Sequence, residues 1–246
     1  MTMTTGSFET MKTSRLALSL LGTSLFAAAP APAQDGPDIP EPMVFDMIRP
    51  LTAKAGEIEV NALAQRDLTG PRGELEWAPE VEWAVADGFA VELELPLIDN
   101  RVVQYKMGLQ GKLGTIRGGR GVHGFQYLGL HDREAGGWTS TLLWLLGNRF
   151  GERWSTMTMI GVGDVTLREG NETGMIVNHS TFYDLNRDTV LGLEVNRQNG
   201  EGAYWLLMPQ VHRALGKLGV QGGVGAEKGR GERFRPRLGL RIIREL

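Results

Sequence analysis

Apolar and polar residues alternate along most of residues 73–98. The odd-numbered positions from Leu75 to Val85 are apolar, whereas most of the even-numbered positions between them are glutamates. A period of two is typical of a β-strand with one apolar and one polar face. A second alternating run, Phe89–Leu97, follows Asp87-Gly88, a dipeptide that favours a tight turn. The stretch therefore predicts two antiparallel strands joined as a hairpin.

Similar runs continue to the C-terminus and predict twelve strands in all. They cover residues 57–68, 73–85, 89–98, 101–113, 121–130, 138–146, 154–162, 174–182, 189–196, 203–212, 217–227 and 233–246. No capped stretch with a helical period occurs after the N-terminal region, so we expect an all-β fold. Most runs have the roughly 9–11 residues of a tilted membrane-spanning strand, and each connection suits a hairpin. If the last strand pairs with the first, the result is a closed antiparallel up-and-down transmembrane β-barrel of about 12 strands.

Residues 1–56 differ in composition from this alternating region. Residues 11–15 carry two basic side chains, residues 16–29 are apolar, and Ala31-Pro32-Ala33 offers a small-residue cleavage site. Residues 1–33 are therefore predicted to be an export signal with an upstream extension at 1–10, a short membrane anchor being the alternative. The proline-rich residues 34–56 are predicted to be an extended leader, either disordered or tucked into the mouth of the fold. Residues 57–246 are assigned to the barrel domain.

Composition excludes several classes of protein. Beyond the N-terminal region there is no run of about 18 apolar residues, which excludes a helical membrane protein. The chain has no cysteine, so sheet hydrogen bonding and burial must stabilise it without disulfides. Residues 1–33 hold Lys12, Arg15 and Glu9, which leaves 24 of the 26 basic and 28 of the 29 acidic residues in the remainder. This mildly acidic balance gives no reason to expect a nucleic-acid partner.

Charged residues fall on the polar faces of early and late strands, which closure of a barrel would bring together around a narrow lumen. The candidate lumen residues are Glu76, Glu80, Glu82, Glu92, Glu94, Lys106, Lys112, Glu194, Arg237 and Arg241. We expect them to form a hydrated ionic network that controls the selectivity of a pore. The alternative fold is a soluble β-sandwich, in which these residues would face solvent. Pro79 and Pro96 leave this alternative open, because proline removes an N–H donor and therefore counts against two uninterrupted strand ladders.

Tryptophans recur in two pairs six residues apart, Trp77 with Trp83 and Trp138 with Trp144. An even spacing places each pair on one strand face, roughly 20 Å apart at ~3.3 Å per residue. That separation suits the two edges of an apolar membrane band about 25 Å tall, so we expect these four side chains at the membrane interfaces.

The C-terminal region carries the runs MPQV at 208–211, GVQGGVG at 219–225 and RPRLGLR at 235–241. It resembles the C-terminal hairpins of small bacterial outer-membrane barrel proteins, and is similar in style to the transporter group associated with the meta-pathway of phenol degradation. The hairpin at 80–97, in which an acidic-aromatic strand precedes an apolar-Pro-apolar end, fits the same group. The resemblance implies an outer-membrane location, with membrane lipid, the barrel-assembly machinery and a small solute as partners. Such barrels often finish on Phe or Trp, which the machinery reads, whereas this chain finishes on Leu246.

Few residues suggest catalysis or metal binding. The histidines, which lack metal-ligand spacing, are His123, His131, His179 and His212. Glycines at 119, 121 and 124 match a dinucleotide fingerprint, which we ascribe to chance because no helix is predicted to follow. The first hypothesis is thus a passive outer-membrane channel that is not an enzyme and needs no metal or cofactor. The second is a lipid-modifying hydrolase using His179, which shares a strand face with Thr181 while Ser180 points the opposite way, and the third is a soluble periplasmic sheet protein.

Overall fold

The computed structural model describes residues 36–45, 47–69, 74–165, 173–200 and 202–246. The predicted export signal, residues 1–33, lies outside these described residues. Among them, no helix is both long and apolar enough to cross a bilayer.

The described residues form a series of strands that follow the predicted runs closely. They are β1 (Ile58–Asp67), β2 (Leu75–Ala86), β3 (Phe89–Glu94), β4 (Leu97–Ile98), β5 (Arg101–Val102), β6 (Gln104–Ile116), β7 (Gly121–Asp132), β8 (Trp138–Phe150), β9 (Trp154–Val165), β10 (Gly174–Asn186), β11 (Thr189–Gln198), β12 (Tyr204–Leu215), β13 (Leu218–Gly229) and β14 (Arg235–Glu245). Several run a few residues beyond the prediction, because strand ends without an alternating pattern still complete the hydrogen-bonded ladder.

The strands make one closed antiparallel sheet. From β6 to β14 each strand pairs with the next, and β1 pairs with both β2 and β14. The closing register sets Glu59 opposite Glu245 and Asp67 opposite Arg237. The strands β3 and β4 together occupy one predicted strand, residues 89–98, and β5 and β6 together occupy the next. The wall therefore has the twelve strand positions that were predicted. The all-β, closed antiparallel barrel is confirmed.

Two interruptions occur at neighbouring points of the wall. Pro96 separates β3 from β4, because proline has no N–H for the ladder. Its carbonyl accepts a 2.9 Å hydrogen bond from the N–H of Val103, the residue that separates β5 from β6. The register against β2 is unchanged across the break, with Glu80 opposite Glu94 and Trp77 opposite Leu97. The breaks therefore change local hydrogen bonding and leave the barrel closed.

The two ends of the barrel differ. One end, which we call the turn end, holds the start of β1, the end of β14 and the short connections 87–88, 117–120, 151–153, 187–188 and 216–217. Two of these turns place Gly88 at φ +70° and Gly216 at φ +68°, values that glycine adopts without strain. The opposite end, which we call the loop end, holds the remaining connections, which are mostly longer.

The wall is apolar outside, and inside it combines a charged part with an apolar part. Outward positions near the middle of the strands carry exposed apolar side chains such as Leu93, Leu142, Leu207 and Leu240. Inward positions include buried charged groups, with Glu82 and Glu194 fully shielded from solvent. On β7 to β10 they also include apolar side chains such as Leu145 and Phe182, which form a buried cluster. The exposed apolar outer face is the opposite of the surface expected of a soluble protein.

We call residues 36–45 and 47–57 the inner segment; it lies inside the barrel except near its ends, where Asp38, Lys54 and Gly56 are exposed. Met43, Met47 and Ile48 are almost completely buried there. Glycines of the wall make room for them, since a Cβ atom at Gly239 would come within 2.7 Å of the Met43 side chain, and one at Gly108 within 2.5 Å of Ile48. Of the two states predicted for the leader, the structure shows the inserted one.

Candidate functional site

The inner segment starts at the turn end, runs to the middle of the lumen and returns to the turn end. Its first residues lie near the turn end, where Ile39 packs against Gly147. The chain reaches the middle of the barrel at Met43–Phe45 and returns to the turn end, where the N–H of Gly88 donates to the carbonyl of Ala53 over 2.8 Å. The lumen is therefore filled from the turn end as far as its middle.

The carboxylate of Glu194, at the middle of β11, binds the part of the inner segment that lies farthest from the turn end. Its Oε2 accepts the backbone N–H groups of Met43 and Val44, each at 3.0 Å, and its Oε1 accepts that of Phe45 at 2.6 Å. From the wall, Asn196 Nδ2 donates to Oε1 over 2.7 Å and Gln210 Nε2 to Oε2 over 3.2 Å. Charge-assisted bonds of this kind are roughly twice as strong as neutral ones. Glu194 is thus a fixed attachment point for the inner segment.

Arg49 attaches the returning part of the inner segment. Its guanidinium pairs with Glu59, lies 3.1 Å from a Glu57 oxygen and 3.3 Å from one of Glu245, and its carbonyl accepts a hydrogen bond from Gln110 Nε2. Burial alone would lower the pKa of Arg49, but the surrounding carboxylates outweigh it and raise that pKa above its ordinary value. The side chain therefore stays charged and tied to the wall.

A cavity of about 410 Å³ lies on the loop-end side of the inner segment, and we call it the vestibule. Met43 and Val44 of the inner segment form its floor. Its walls are Leu63, Gln65, Glu76, Trp77, Ala78, Glu80, Glu94, Pro96, Leu97, Ile98, Val103, Gln104, Lys106 and Arg241. The vestibule therefore joins the interrupted part of the wall to the buried top of the inner segment.

Ion pairs organise the vestibule wall. Lys106 Nζ lies 3.0 Å from Glu92 Oε1 and also pairs with Glu94. The carboxylate oxygens of Glu80, Glu92 and Glu94 lie within 4.8 Å of one another, and within the described residues they are the one group close enough to share a metal ion. The ammonium group of Lys106 already lies among these carboxylates.

Arg241 joins the wall to the inner segment. Its Nη2 donates to Glu80 over 2.9 Å and to Glu82 over 3.2 Å, and its Nε donates to Asn61 over 3.0 Å. Its Nη1 lies 3.4 Å from the carbonyl of Pro42. The side chain is 1 % exposed, so this network is shielded from bulk water.

The structure places most of the predicted lumen residues inside the barrel. Glu80, Glu82, Glu92, Lys106, Glu194, Arg237 and Arg241 are buried. Glu94 is largely buried on the vestibule wall, and Glu76 is half-exposed but pairs with Arg237. Lys112 lies apart from this network, where its side chain packs against Gly88 at the turn end.

The four predicted interface tryptophans lie at different heights. Trp138 begins β8 at the loop end, whereas Trp144 lies at the centre of that strand. Trp83 is exposed near the turn end of β2, and Trp77 lies nearer the loop end, where its indole N–H donates to the carbonyl of Asp99. Trp154, which the sequence analysis missed, is exposed at the turn end of β9.

His179 lies on the outer face of the wall. Its Nδ1 lies 2.8 Å from the hydroxyl of Thr158, and its Nε2 lies 3.2 Å from that of Thr181. Ser180 is buried on the opposite face. Neither hydroxyl partner can supply the carboxylate that orients the base in a hydrolytic triad, so this arrangement does not favour the hydrolase hypothesis.

Sequence reasoning missed several residues that position the inner segment. Arg49 fell within the leader, where no periodic pattern assigns a partner. Asn196 and Gln210 lie on the same inward faces as Glu194 and Met208, and strand alternation could have identified them as lumen residues. The candidate list contained only charged residues, so neutral amides were left out, and it also omitted Glu59 and Glu227, which pair with Arg49 and Arg237.

No protein-family model matches the sequence, and no curated protein matches it significantly. Solved structures resemble it in fold. A structure described as KdgM porin has a TM-score of 0.58 and 8 % sequence identity, over 76 % of this chain and 99 % of that one. The same porin in complex with disordered oligogalacturonate gives a TM-score of 0.56 and 9 % identity, over 77 % of this chain and 99 % of that one.

A third similar structure is the COG4313 outer-membrane channel from Pseudomonas putida F1. Its TM-score is 0.57 at 10 % identity, over 79 % of this chain and 97 % of that one. At such low identity these similarities show the fold alone. The chain has the architecture of small outer-membrane barrel channels, and the resemblance to the meta-pathway transporter group stays a prediction.

Proposed function

We propose that this chain is an outer-membrane β-barrel channel for a small solute, closed at rest by its inner segment. The observation that carries the proposal is a closed sheet that is apolar outside and charged over part of its inner face. A wall of this kind suits hydrocarbon on one side and an aqueous path on the other. The fold similarity to outer-membrane channels supports the same assignment.

The outer face supports a location within a bilayer. Soluble monomers rarely expose a continuous apolar patch larger than a few hundred Å². Here exposed apolar side chains occur on strands around the barrel, for example Val81 on β2, Leu142 on β8, Leu193 on β11 and Leu240 on β14. We infer that lipid covers this surface and that the barrel-assembly machinery inserts the chain, which the predicted export signal would deliver.

The interior supports a gated passage. The vestibule is lined by charged side chains and ends at Met43 and Val44, below which the inner segment fills the lumen. A solute that enters from the loop end therefore meets a closed floor. Conduction requires that the inner segment move. Its attachments are hydrogen bonds, ion pairs and apolar contacts with the wall, for example those of Met47 and Ile48. One similar porin binds oligogalacturonate, which supports a small solute as the partner of this chain.

A redox-controlled tether tests the gated channel. A Cβ atom at Gly36 would lie 3.3 Å from Cβ of Val122 on β7, close to the separation of about 3.5–4.5 Å found in disulfides. Since the chain has no cysteine, Gly36→Cys with Val122→Cys introduces one defined pair. Oxidation should fasten the start of the inner segment to the wall.

The measurement is ion conductance in planar bilayers, with folding checked by the different gel migration of boiled and unboiled protein. We expect the oxidised double variant to stay closed, and reduction to restore openings like those of the unmodified chain. Gly36→Cys alone, treated in the same way, should respond to neither reagent. If folded, inserted protein passes no ions when it is unmodified, when the tether is reduced and when Glu194 is substituted, the channel proposal is wrong.

A further inference from the structure

Glu194 is a deeply buried carboxylate whose partners are all neutral. Within the described part of the chain, its hydrogen bonds come from three backbone amides and from the side chains of Asn196 and Gln210. A buried charge normally has an opposite charge nearby, because desolvation is costly. At this point in the lumen, N–H donors take the place of a cation.

The five donors belong to two different parts of the molecule. Asn196 and Gln210 are fixed in the wall on β11 and β12, whereas Met43, Val44 and Phe45 belong to the inner segment. If the inner segment withdraws, the carboxylate keeps its two neutral wall donors and loses three. The open lumen would then carry, at its middle, a negative charge able to accept further N–H bonds.

This carboxylate lies directly on the path from the vestibule. The residues that form the vestibule floor, Met43 and Val44, are the same residues whose N–H groups bind Glu194. A solute that passes the displaced floor therefore reaches Glu194 next. The site is built from one carboxylate and two amide side chains within one region of the wall.

The charges around the path favour cations. In the described residues, the four basic side chains Arg49, Lys106, Arg237 and Arg241 are matched by eleven carboxylates within 4.0 Å. These are Glu41, Glu57, Glu59, Asp67, Glu76, Glu80, Glu82, Glu92, Glu94, Glu227 and Glu245. Three further basic side chains lie nearer the two ends: Arg235 beside Asp67 at the loop-end rim, Arg149 beside Asp184, and Lys112 at the turn end. An excess of carboxylates in a narrow lumen concentrates cations and repels anions.

We propose that Glu194, Asn196 and Gln210 form the solute-binding site of the open channel, and that the solute carries an ammonium or guanidinium group. In the closed state the backbone amides of Met43–Phe45 occupy this site in place of the solute. The inference rests on the proposed function, since it assigns the solute class of that channel. It makes the inner segment a competitor of the transported molecule.

The test needs a channel that opens with Glu194 intact. Val44→Pro removes one N–H donor to the carboxylate and replaces valine with a side chain of similar size, so it should release the inner segment. If that variant does not fold, Phe45→Pro removes the 2.6 Å donor instead. The first test variant combines Val44→Pro with Glu194→Gln. The control combines Val44→Pro with Glu134→Gln, which removes an exposed carboxylate from the loop after β7.

The readouts are the reversal potential in a potassium chloride gradient and the block of potassium current by guanidinium chloride. We expect Val44→Pro to favour potassium over chloride, and guanidinium to block it. The Glu194→Gln combination should need about tenfold more guanidinium for half block, the effect of one lost charge-assisted bond. The Glu134→Gln combination should resemble Val44→Pro. Equal block in all three conducting variants, or a preference for chloride, overturns this inference and leaves the channel proposal standing. Silence of every folded variant overturns the channel proposal, and this inference with it.

Discussion

Substitution of Glu194 by glutamine should weaken the closed state of the barrel selectively. The carboxylate accepts three consecutive amides of the inner segment through both of its oxygens. Glutamine has one acceptor oxygen and one NH₂ group of nearly the same size. If its oxygen keeps the bonds of Oε2 to Met43 and Val44, its NH₂ group faces the N–H of Phe45 and the amide nitrogen of Asn196. Two donors then lose their acceptor, and the negative charge disappears.

The size of the effect follows from these bonds. A hydrogen bond to a charged group contributes about 1.5–3 kcal/mol, and part of the loss is offset because no charge remains buried. We therefore expect opening of the inner segment to become easier by about 2–4 kcal/mol, which is about 30- to 1000-fold in the opening equilibrium. Stability of the wall should change far less, because the ladder bonds of β11 to β10 and β12 do not involve this side chain.

Native-state hydrogen exchange of the Met43, Val44 and Phe45 amides measures this equilibrium directly, because each amide exchanges when its bond to Glu194 opens. In the Glu194→Gln variant their protection should fall by the predicted factor, while amides in the centre of β8 keep theirs. The control is Glu227→Gln, which removes a carboxylate that contacts Arg237 near the loop end. Unchanged protection at residues 43–45 in the glutamine variant, or an equal loss throughout the wall, would refute the role of Glu194 as the attachment point.

Three further results are expected. Arg241→Met leaves three buried carboxylates, Glu41, Glu80 and Glu82, without their shared cation, which should cost about 3–5 kcal/mol. The temperature at which the folded gel band disappears should fall, whereas Arg235→Met, at a half-exposed rim pair, should change it little. Leu240→Arg, at the centre of the outer face of β14, should make the free energy of folding into lipid vesicles less favourable by about 2–4 kcal/mol. The control is the loop variant Ala135→Arg, and equal folding free energies for the two variants would contradict a lipid-covered face. His179→Ala should leave conductance unaltered in bilayers, since this side chain faces outward, and a loss of conductance would show that the outer face contributes to the passage.

The wall of the barrel could be predicted from the sequence because its rule is local. Alternation along runs such as 75–85 identifies which side chains share a face, and a two-residue turn such as Asp87-Gly88 fixes which strands are neighbours. Alternation therefore places charges such as Glu80, Glu82 and Arg241 on one face of their strands before any contact is known. The interruption at Pro96 also follows locally, from a missing N–H.

The inner segment could not be predicted in the same way. Residues 36–57 have no period, and both a disordered and an inserted leader agree with their composition. Their placement depends on space left by distant glycines such as Gly108 and Gly239, and on Glu194, which is about 150 positions away along the chain from the amides it binds. No local pattern encodes such a pairing.

The sequence by itself determined that the chain is all-β, how many strand positions the barrel has, and which side chains face inward, because strand geometry repeats every two residues. Only the tertiary structure decided what the inward side chains bind: that Arg241 joins β14 to Glu80 and Glu82 of β2, and that Glu194 holds the inner segment. Those contacts arise when the sheet closes and brings distant inward faces within hydrogen-bonding distance, a condition of the whole barrel rather than of any one strand.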